Sequence, residues 1–129
     1  MQKILIVDDS ATIRKMVRAS LQDRDYEFLE ASTGLEAIEQ LAIARVHLVV
    51  LDLNMPDMHG IDVLKFVRRH HHYEHLPVVV LTTRGDEGSR QTAEDAGAST
   101  YLTKPFAPHM LAATVRNLLH TTADAGTSR

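Results

Sequence analysis

The 129-residue sequence contains no cysteine, which removes several kinds of chemistry at once. Disulfide bonds, thiolate catalysis and cysteine-type zinc sites are excluded, and a reducing compartment is favoured. No apolar segment approaches the roughly 20 residues that span a bilayer. Charges at Lys3, Asp8 and Asp9 interrupt the early apolar run, so no N-terminal signal is visible. We therefore expect a cytoplasmic protein that does not insert into membranes.

The sequence also lacks a strong excess of charge of one sign. The formal net charge is -3 at pH 7, which is too small to favour direct binding to nucleic acid or to an anionic membrane surface. Hydrophobic residues make up 44% and charged residues 24%, as in an ordinary globular protein. The length predicts a single domain with its own hydrophobic core.

Short apolar runs alternate with helical patterns along the chain. Five strands are predicted, at residues 4–7, 26–31, 49–52, 77–81 and 100–103. A helical pattern follows each of them, and such alternation predicts a parallel sheet with helices on both faces. The pattern stops near residue 121. We therefore expect a domain over residues 1–121 and a flexible tail or truncated linker over residues 122–129.

The helical patterns carry their own start and stop signals. Ser10 is predicted to cap the first helix, and Thr33 and Glu36 form a capping-box pattern at the second. Gly97 is placed to end the fourth helix, which we expect at residues 89–96. The positions expected to face the core are Ile13, Met16, Val17 and Leu21, then Leu35, Ile38, Leu41 and Ala42, then Val63, Leu64 and Val67, and finally Met110, Leu111, Val115, Leu118 and Leu119.

One unbroken apolar run ends in a carboxylate. Residues 48–51 are all apolar, Asp52 follows them, and Pro56 stops any continuation of the strand. A run of this kind is typical of a central parallel strand that is buried on both faces. Asp52 would then lie at the carboxyl edge of the sheet, which is where open α/β sheets bind their ligands.

Other predicted strands end in polar groups at the same edge. Asp8 and Asp9 follow the first strand, Thr82 the fourth and Lys104 the fifth. Two carboxylates about 4 Å apart repel by about 4 kcal/mol at an effective dielectric near 20, so three clustered acids call for a cation. Hard oxygen ligands select magnesium, manganese or calcium, and magnesium typically combines one or two carboxylates with phosphate oxygens. The strand ends therefore point to phosphoryl chemistry.

The chain resembles the receiver domains of two-component response regulators from Lys3 to about Leu119. The intervals of 43 residues from Asp9 to Asp52, of 30 from Asp52 to Thr82 and of 52 from Asp52 to Lys104 fit this family. The matching motifs are Asp8-Asp9, Asp52, Met55-Pro56, Gly60, Thr82 and Lys104-Pro105. The resemblance implies a flavodoxin-like (βα)5 fold with strand order 2-1-3-4-5, the order that chemotaxis members of the family exemplify.

The resemblance also implies a role for each acid of the site. Asp52 would accept a phosphoryl group from a phosphohistidine. Asp9 and Asp52 would bind Mg²⁺ or Mn²⁺ together with the backbone carbonyl of Asn54, while Asp8 would hold a metal-bound water. Asn54 and Arg84, which stand two residues after Asp52 and Thr82, would border the site.

Three further residues would complete the site and make it a switch. Lys104 would pair with Asp52 and, after phosphorylation, with a phosphoryl oxygen. Thr82 would turn its hydroxyl towards the phosphoryl group, and Tyr101 would swing inward as Thr82 moves. The bond between Lys104 and Pro105 would be cis. Positioning and charge neutralisation are the main needs of phosphoryl transfer, and one metal ion with one lysine would supply both.

The family resemblance implies partners rather than turnover of a small substrate. The phosphoryl group would come from a sensor histidine kinase or a phosphotransfer protein, and the chain would catalyse its own phosphorylation and dephosphorylation. The output would be a protein target bound on the fourth helix, fifth strand and last helix, by a monomer or a phosphorylation-linked dimer. Residues 7–16 resemble stand-alone chemotaxis-type regulators, and the N-terminal receiver of a longer regulator is the alternative.

Other functions fit the sequence less well. Asp8 and Asp9 would repel the phosphate of a flavin, and the glycine-rich motifs of dinucleotide-binding and P-loop proteins are missing. A phosphatase of the haloacid dehalogenase type also uses a strand-end aspartate. It would need a second aspartate where Asn54 stands, together with a cap domain. Multiple turnovers of a small phosphomonoester would favour that phosphatase over the receiver.

Overall fold

A computed structural model describes residues 1–22, 25–55, 59–83 and 85–127, with side chains up to residue 120. Within these ranges the strands are β1 (Gln2–Val7), β2 (Tyr26–Ala31), β3 (Leu48–Asp52), β4 (Val78–Thr82) and β5 (Thr100–Thr103). The helices are α1 (Ala11–Ser20), α2 (Gly34–Ile43), α3 (Gly60–Arg69), α4 (Glu87–Asp95) and α5 (Pro108–Thr127), and a short 3-10 helix covers His71–Tyr73. The expectations for Pro56 and Arg84 lie outside the described residues.

The strands form one parallel sheet in the order β2-β1-β3-β4-β5. This confirms the predicted α/β fold and its strand order 2-1-3-4-5. Every residue of β3 and β4 is buried. Strands that are covered by helices on both faces need apolar residues at consecutive positions, which is why these two strands are the most uniformly apolar of the five.

Alternate residues of the strands contribute to two separate hydrophobic layers. The first layer joins Leu5, Val7, Val49, Leu51, Val78 and Val80 of the sheet to Ala37, Leu41, Val63, Leu64, Val67 and Ala93 of α2, α3 and α4. The second joins Ile4, Ile6, Leu48, Val50, Val79 and Leu81 to Val17, Leu21, Leu111, Val115 and Leu119 of α1 and α5. Side chains of a strand alternate between its faces, so one apolar run fills both layers.

The helix starts follow the predicted caps. The Ser10 hydroxyl accepts a hydrogen bond from the Ile13 backbone N–H at 3.2 Å. The Thr33 hydroxyl accepts from the Glu36 backbone N–H at 3.0 Å, but the Glu36 carboxylate reaches back to the Ser32 backbone N–H, at 3.2 Å, rather than to Thr33. In a regular capping box the glutamate accepts from the backbone N–H of the cap residue, here Thr33. In this helix it accepts from the residue before the cap.

The prediction of the inner face of α2 was wrong in two positions. Leu35 is 59% exposed and Ala42 is exposed, whereas Gly34, Ala37 and Leu41 face the core. Small residues on the buried face let the helix lie close to the sheet. The sequence analysis assigned the bulky Leu35 to the buried face of α2, whereas the helix turns Gly34 and Ala37 towards the sheet.

Two methionines expected in the core also lie at the surface. Met16 in α1 is 41% exposed and Met110 in α5 is 50% exposed. The neighbouring residues Val17 and Leu111, which were also expected in the core, are fully buried as predicted. The fourth helix differs as well, since it begins two residues earlier than expected, at Glu87.

The last helix extends beyond the expected domain end. α5 runs to Thr127 and so continues into the segment 122–129. The division at residue 121 stays a prediction, because the helix backbone alone does not separate a domain from a tail or linker. None of the helices in the described part of the chain has the length and hydropathy needed to cross a membrane.

An ion-pair cluster joins α1 to the edge strand β2. The Glu30 carboxylate accepts from Arg14 Nε at 2.8 Å and from Arg18 Nη1 at 2.7 Å. The hydrogen bond from Arg14 is the largest cause that lowers the pKa of Glu30, and Arg18 lowers it further. Arg18 also lies over the Phe28 ring, with its guanidinium carbon 5.2 Å from the ring centroid. The edge strand is thereby held to the helix that follows β1.

We predict that Glu30→Gln lowers the free energy of unfolding by about 0.5–1 kcal/mol at neutral pH. The native pKa of Glu30 is lowered, so its contribution exists above the ordinary glutamate pKa of about 4.3 and is lost as pH falls through the native value. Urea unfolding across this pH range measures the difference. The matched control is Glu27→Gln, whose partner Lys3 lies 3.7 Å away, and an equal loss in both variants would contradict the assignment.

The first residue of α3 is a glycine for steric reasons. A Cβ atom on Gly60 would overlap the Asp52 carbonyl oxygen and would lie 2.6 Å from the Leu53 Cα. Both of these atoms belong to the backbone and have little freedom to move. α3 can therefore start directly against the end of β3 only because Gly60 has no side chain.

We expect Gly60→Ala to lower the free energy of unfolding by about 1–3 kcal/mol. Glycine to alanine in a helix ordinarily stabilises by up to about 1 kcal/mol, so the predicted sign is reversed. Gly88→Ala in α4 is the control, because its new Cβ would meet only the Asp86 carboxylate, at 3.3 Å. Chemical denaturation measures both variants, and a stabilised Gly60→Ala chain would refute the steric argument.

Candidate functional site

The register of the sheet brings the predicted site residues to one edge. Val7 pairs with Leu51 in the adjacent strands β1 and β3. The next residues, Asp8 and Asp52, therefore lie at the same level of the sheet. Thr82 ends β4, beside β3. Lys104 follows β5, whose last residue pairs with Thr82. Four strand ends therefore contribute to one site, as expected of parallel strands.

The three acids lie close together. Asp8, Asp9 and Asp52 each place one carboxylate oxygen within 4.8 Å of the others, the single such group of potential metal ligands in the described ranges. Asp8 and Asp52 are each 1% exposed, whereas Asp9 is exposed. Burial raises the pKa of the Asp8 carboxyl, and the nearby charge of Asp52 raises it further.

Lys104 lies between the two buried carboxylates. Its Nζ atom is 3.1 Å from Asp8 Oδ2 and 3.0 Å from Asp52 Oδ1. Burial alone would lower the pKa of Lys104, but its contacts with Asp52 and then Asp8 raise it overall. The lysine therefore stays protonated and offsets part of the negative charge of the site.

Two tight turns orient the buried acids. Asp8 Oδ1 accepts from the Ser10 backbone N–H at 2.9 Å, and Asp52 Oδ1 accepts from the Asn54 backbone N–H at 3.0 Å. An aspartate that binds the N–H two residues later forms an Asx turn, which here turns the chain away from the sheet. Asp52 Oδ1 is thus bound by both Asn54 and Lys104.

The second oxygen of Asp52 has a different environment. Oδ2 makes no hydrogen bond to the described residues, since both contacts of this carboxylate fall on Oδ1. The Asp52 side chain as a whole is only 1% exposed, so Oδ2 also lies within the site. Asp52 therefore has one oxygen that two donors hold in place and one that makes no hydrogen bond to the described residues.

The end of β4 is joined to the β3–α3 loop through Asn54. The Asn54 Oδ1 atom accepts from the Thr82 hydroxyl at 3.2 Å and from the Thr83 backbone N–H at 3.2 Å. Thr82 is 1% exposed, whereas Asn54 is exposed. The sequence analysis expected Asn54 to border the site and to offer its backbone carbonyl. It did not predict the hydrogen bonds from Thr82 and Thr83 to the Asn54 side chain.

Tyr101 lies apart from the acids. It pairs with Val80 in the sheet, two residues before the Thr82–Thr103 pair, and it is half-buried. Tyr101 lines a cavity of about 490 Å³ between α4 and β5, together with Arg90 and Glu94. Burial raises the pKa of its hydroxyl, and Asp86 raises it further. The structure thus places Tyr101 beside the fourth helix and leaves its switching role as a prediction.

The acidic cluster fits a hard divalent cation. All three side-chain donors are carboxylates, which favour Mg²⁺ or Mn²⁺ over soft metals. Two ligands of one magnesium ion lie at most about 4.2 Å apart, because each is about 2.1 Å from the metal. The oxygens lie within 4.8 Å of one another, which is close to this separation.

Known proteins match the chain over most of its length. The family description "Response regulator receiver domain" matches residues 4–116. Chemotaxis protein CheY1 of Helicobacter pylori is 40% identical over 111 residues, which cover 84% of this chain and 90% of that protein. The transcriptional regulatory protein ResD of Bacillus subtilis is 38% identical over 117 residues, which cover 91% of this chain but 48% of ResD.

The solved structures agree with the sequence relatives. The chemotaxis response regulator CheY4 of Vibrio cholerae superposes with a TM-score of 0.85 at 39% identity, covering 92% of this chain and 98% of that one. The strand order, the clustered aspartates and the family match all lead to the same assignment, and a Lys104–Pro105 cis peptide bond is present as predicted. The chain belongs to the response regulator receiver family, a family of two-component signalling domains and not of conventional enzymes.

Proposed function

We propose that the chain is a phosphorylation-activated switch whose phosphoryl acceptor is Asp52. The observation that carries this proposal is the asymmetry of the Asp52 carboxylate. Lys104 and the Asn54 backbone N–H hold Oδ1, while Oδ2 makes no hydrogen bond to the described residues. A carboxylate that is oriented through one oxygen keeps the lone pairs of its other oxygen for nucleophilic attack.

The phosphoryl donor is a phosphohistidine of a sensor kinase or a phosphotransfer protein. Asp52 Oδ2 attacks the phosphorus and forms the new O–P bond. The N–P bond breaks, and its electron pair stays with the imidazole nitrogen of the donor. Lys104 is held within hydrogen-bond distance of Asp52, so it offsets negative charge that accumulates on the phosphoryl oxygens. The chain catalyses this transfer, and the later hydrolysis, on itself.

The divalent cation that the site would take is Mg²⁺, for which Mn²⁺ can substitute. Asp9 and Asp52 would be the direct side-chain ligands, Asp8 would hold a metal-bound water, and Asn54 would contribute its backbone carbonyl. When bound, the cation neutralises charge between the carboxylates and the phosphoryl oxygens. The clustering of three carboxylate oxygens within 4.8 Å supports this assignment.

Phosphorylation is read out through Thr82 and Tyr101. The Thr82 hydroxyl turns to the phosphoryl group, Tyr101 moves inward, and the surface formed by α4, β5 and α5 binds a protein target. Moving a two-state equilibrium from 1:99 to 99:1 takes about 5.5 kcal/mol. Hydrogen bonds to charged groups contribute about 1.5–3 kcal/mol each, so new bonds from Thr82 and Lys104 supply most of this shift.

We infer a stand-alone, chemotaxis-type role in the cytoplasm, with residues 1–121 as the receiver and residues 122–129 as a tail or linker. The support is that this chain matches 90% of the length of Helicobacter pylori CheY1. The alternative is the N-terminal receiver of a longer regulator, which the partial match to ResD illustrates. The active form is a monomer or a phosphorylation-linked dimer.

Asp52→Asn should abolish modification by acetyl phosphate in the presence of Mg²⁺, because the amide lacks the nucleophilic oxygen. Intact-protein mass spectrometry would show one phosphoryl group per native chain and none on this variant. Asp62→Asn, a change at an exposed acid in α3, is the control and should still be modified. Modification of both variants, or repeated turnover of a phosphomonoester, would contradict the acceptor role.

Mg²⁺ should raise the free energy of unfolding of the native chain. One bound ion at about 100 times its dissociation constant adds about 2.7 kcal/mol. In Asp9→Asn the same Mg²⁺ concentration should stabilise much less, because a direct ligand is lost. Thermal unfolding with and without Mg²⁺ measures both effects, and Asp25→Asn at an exposed acid is the control. Equal stabilisation of the native and Asp9→Asn chains would exclude Asp9 as a ligand.

A further inference from the structure

Several donors converge on the side-chain oxygen of Asn54. The Thr82 hydroxyl and the Thr83 backbone N–H each lie 3.2 Å from Asn54 Oδ1, and the Thr83 hydroxyl lies 3.5 Å away. A backbone N–H can only donate, so the atom that faces Thr83 must be the amide oxygen rather than the amide nitrogen. The orientation of the Asn54 side chain is therefore set by its neighbours.

The same residue is bound to the acceptor carboxylate. The Asn54 backbone N–H donates to Asp52 Oδ1 at 3.0 Å, so its side-chain oxygen sits a few bonds from the carboxylate that is modified. Asn54 is exposed, whereas Thr82 is buried. The Asn54 side chain can therefore turn out to water, while the Thr82 hydroxyl needs a partner within the site.

We propose that the Asn54 amide oxygen is a resting-state latch that an incoming phosphoryl group must displace. In the unphosphorylated chain this oxygen holds the Thr82 hydroxyl and the Thr83 N–H in their resting positions. Phosphorylation of Asp52 places charged oxygens beside the same donors, and the amide oxygen gives way to them. The proposal rests on the phosphoacceptor function of Asp52 and describes how that site is regulated.

The relative strength of the two acceptors makes the exchange possible. Hydrogen bonds to an ionised acceptor are roughly twice as strong as those between neutral groups, so a phosphoryl oxygen outcompetes the amide oxygen. The bonds lost from Asn54 nevertheless oppose the switch. Removing the amide oxygen should therefore favour the activated state without adding any contact to it.

The first experiment examines the resting chain without Mg²⁺ or phosphate. In a ¹⁵N–¹H spectrum, Asn54→Ala should move the Thr83 amide proton upfield, because its acceptor is lost. Asn54→Asp keeps an acceptor oxygen at the same position and should leave the Thr83 proton downfield. The Ser10 amide, which donates to Asp8, is the internal control and should not move. A Thr83 resonance that is unchanged in Asn54→Ala would overturn the latch.

The second experiment measures binding of beryllofluoride, a phosphoryl analogue, with saturating Mg²⁺. Asn54→Ala should bind it about fivefold more tightly than the native chain, because the hydrogen bonds to Asn54 that compete with the analogue are lost. Thr82→Val removes the hydroxyl that the latch holds. In that background the gain from Asn54→Ala should fall to about twofold or less, since only the Thr83 N–H and the more distant Thr83 hydroxyl are still released.

An equal gain in both backgrounds would overturn the proposal, because Asn54 would then act independently of Thr82. The Mg²⁺ affinity of each variant is measured without beryllofluoride, so that every comparison is made at saturating Mg²⁺. Failure of the native chain to bind beryllofluoride would refute the phosphoacceptor function itself. The Thr83 resonance needs no phosphoryl analogue and tests the latch separately from that function.

Discussion

The site depends on one cation placed between two buried carboxylates. Lys104 Nζ lies about equally far from Asp8 and Asp52, and both acids are almost completely withdrawn from water. Buried charges are tolerated only when they are paired, and removing one partner of such a pair typically costs about 3–5 kcal/mol. The lysine compensates only part of the negative charge. The remaining excess makes the site receptive to a divalent cation.

The sheet makes this arrangement possible without long connections. Residues from four strand ends meet because neighbouring parallel strands end at nearly the same level. Two Asx turns then direct the acids into the site and lead the chain away from it. Asn54 takes part twice, through its backbone N–H to Asp52 and its side-chain oxygen to Thr82. The acceptor and the switch are therefore connected through a single residue.

Much of the fold could be predicted from local patterns. The strands, the caps at Ser10 and Thr33 and the stop at Gly97 follow from hydrophobic periodicity and backbone preferences, which act over a few residues. The strand order came from the family resemblance, because periodicity does not specify which strands are neighbours. The inner face of α2 was misassigned, since the depth at which Gly34 and Ala37 pack depends on the sheet beneath them.

By itself, the sequence determined which residue types end the strands, and thus that aspartates, a threonine and a lysine would gather at one edge. The tertiary structure alone decided the distances between them, the placement of both contacts of Asp52 on one of its oxygens, and the use of the Asn54 side chain. These features join residues up to 96 positions apart. Such contacts depend on strand register and helix packing, which no short stretch of sequence specifies.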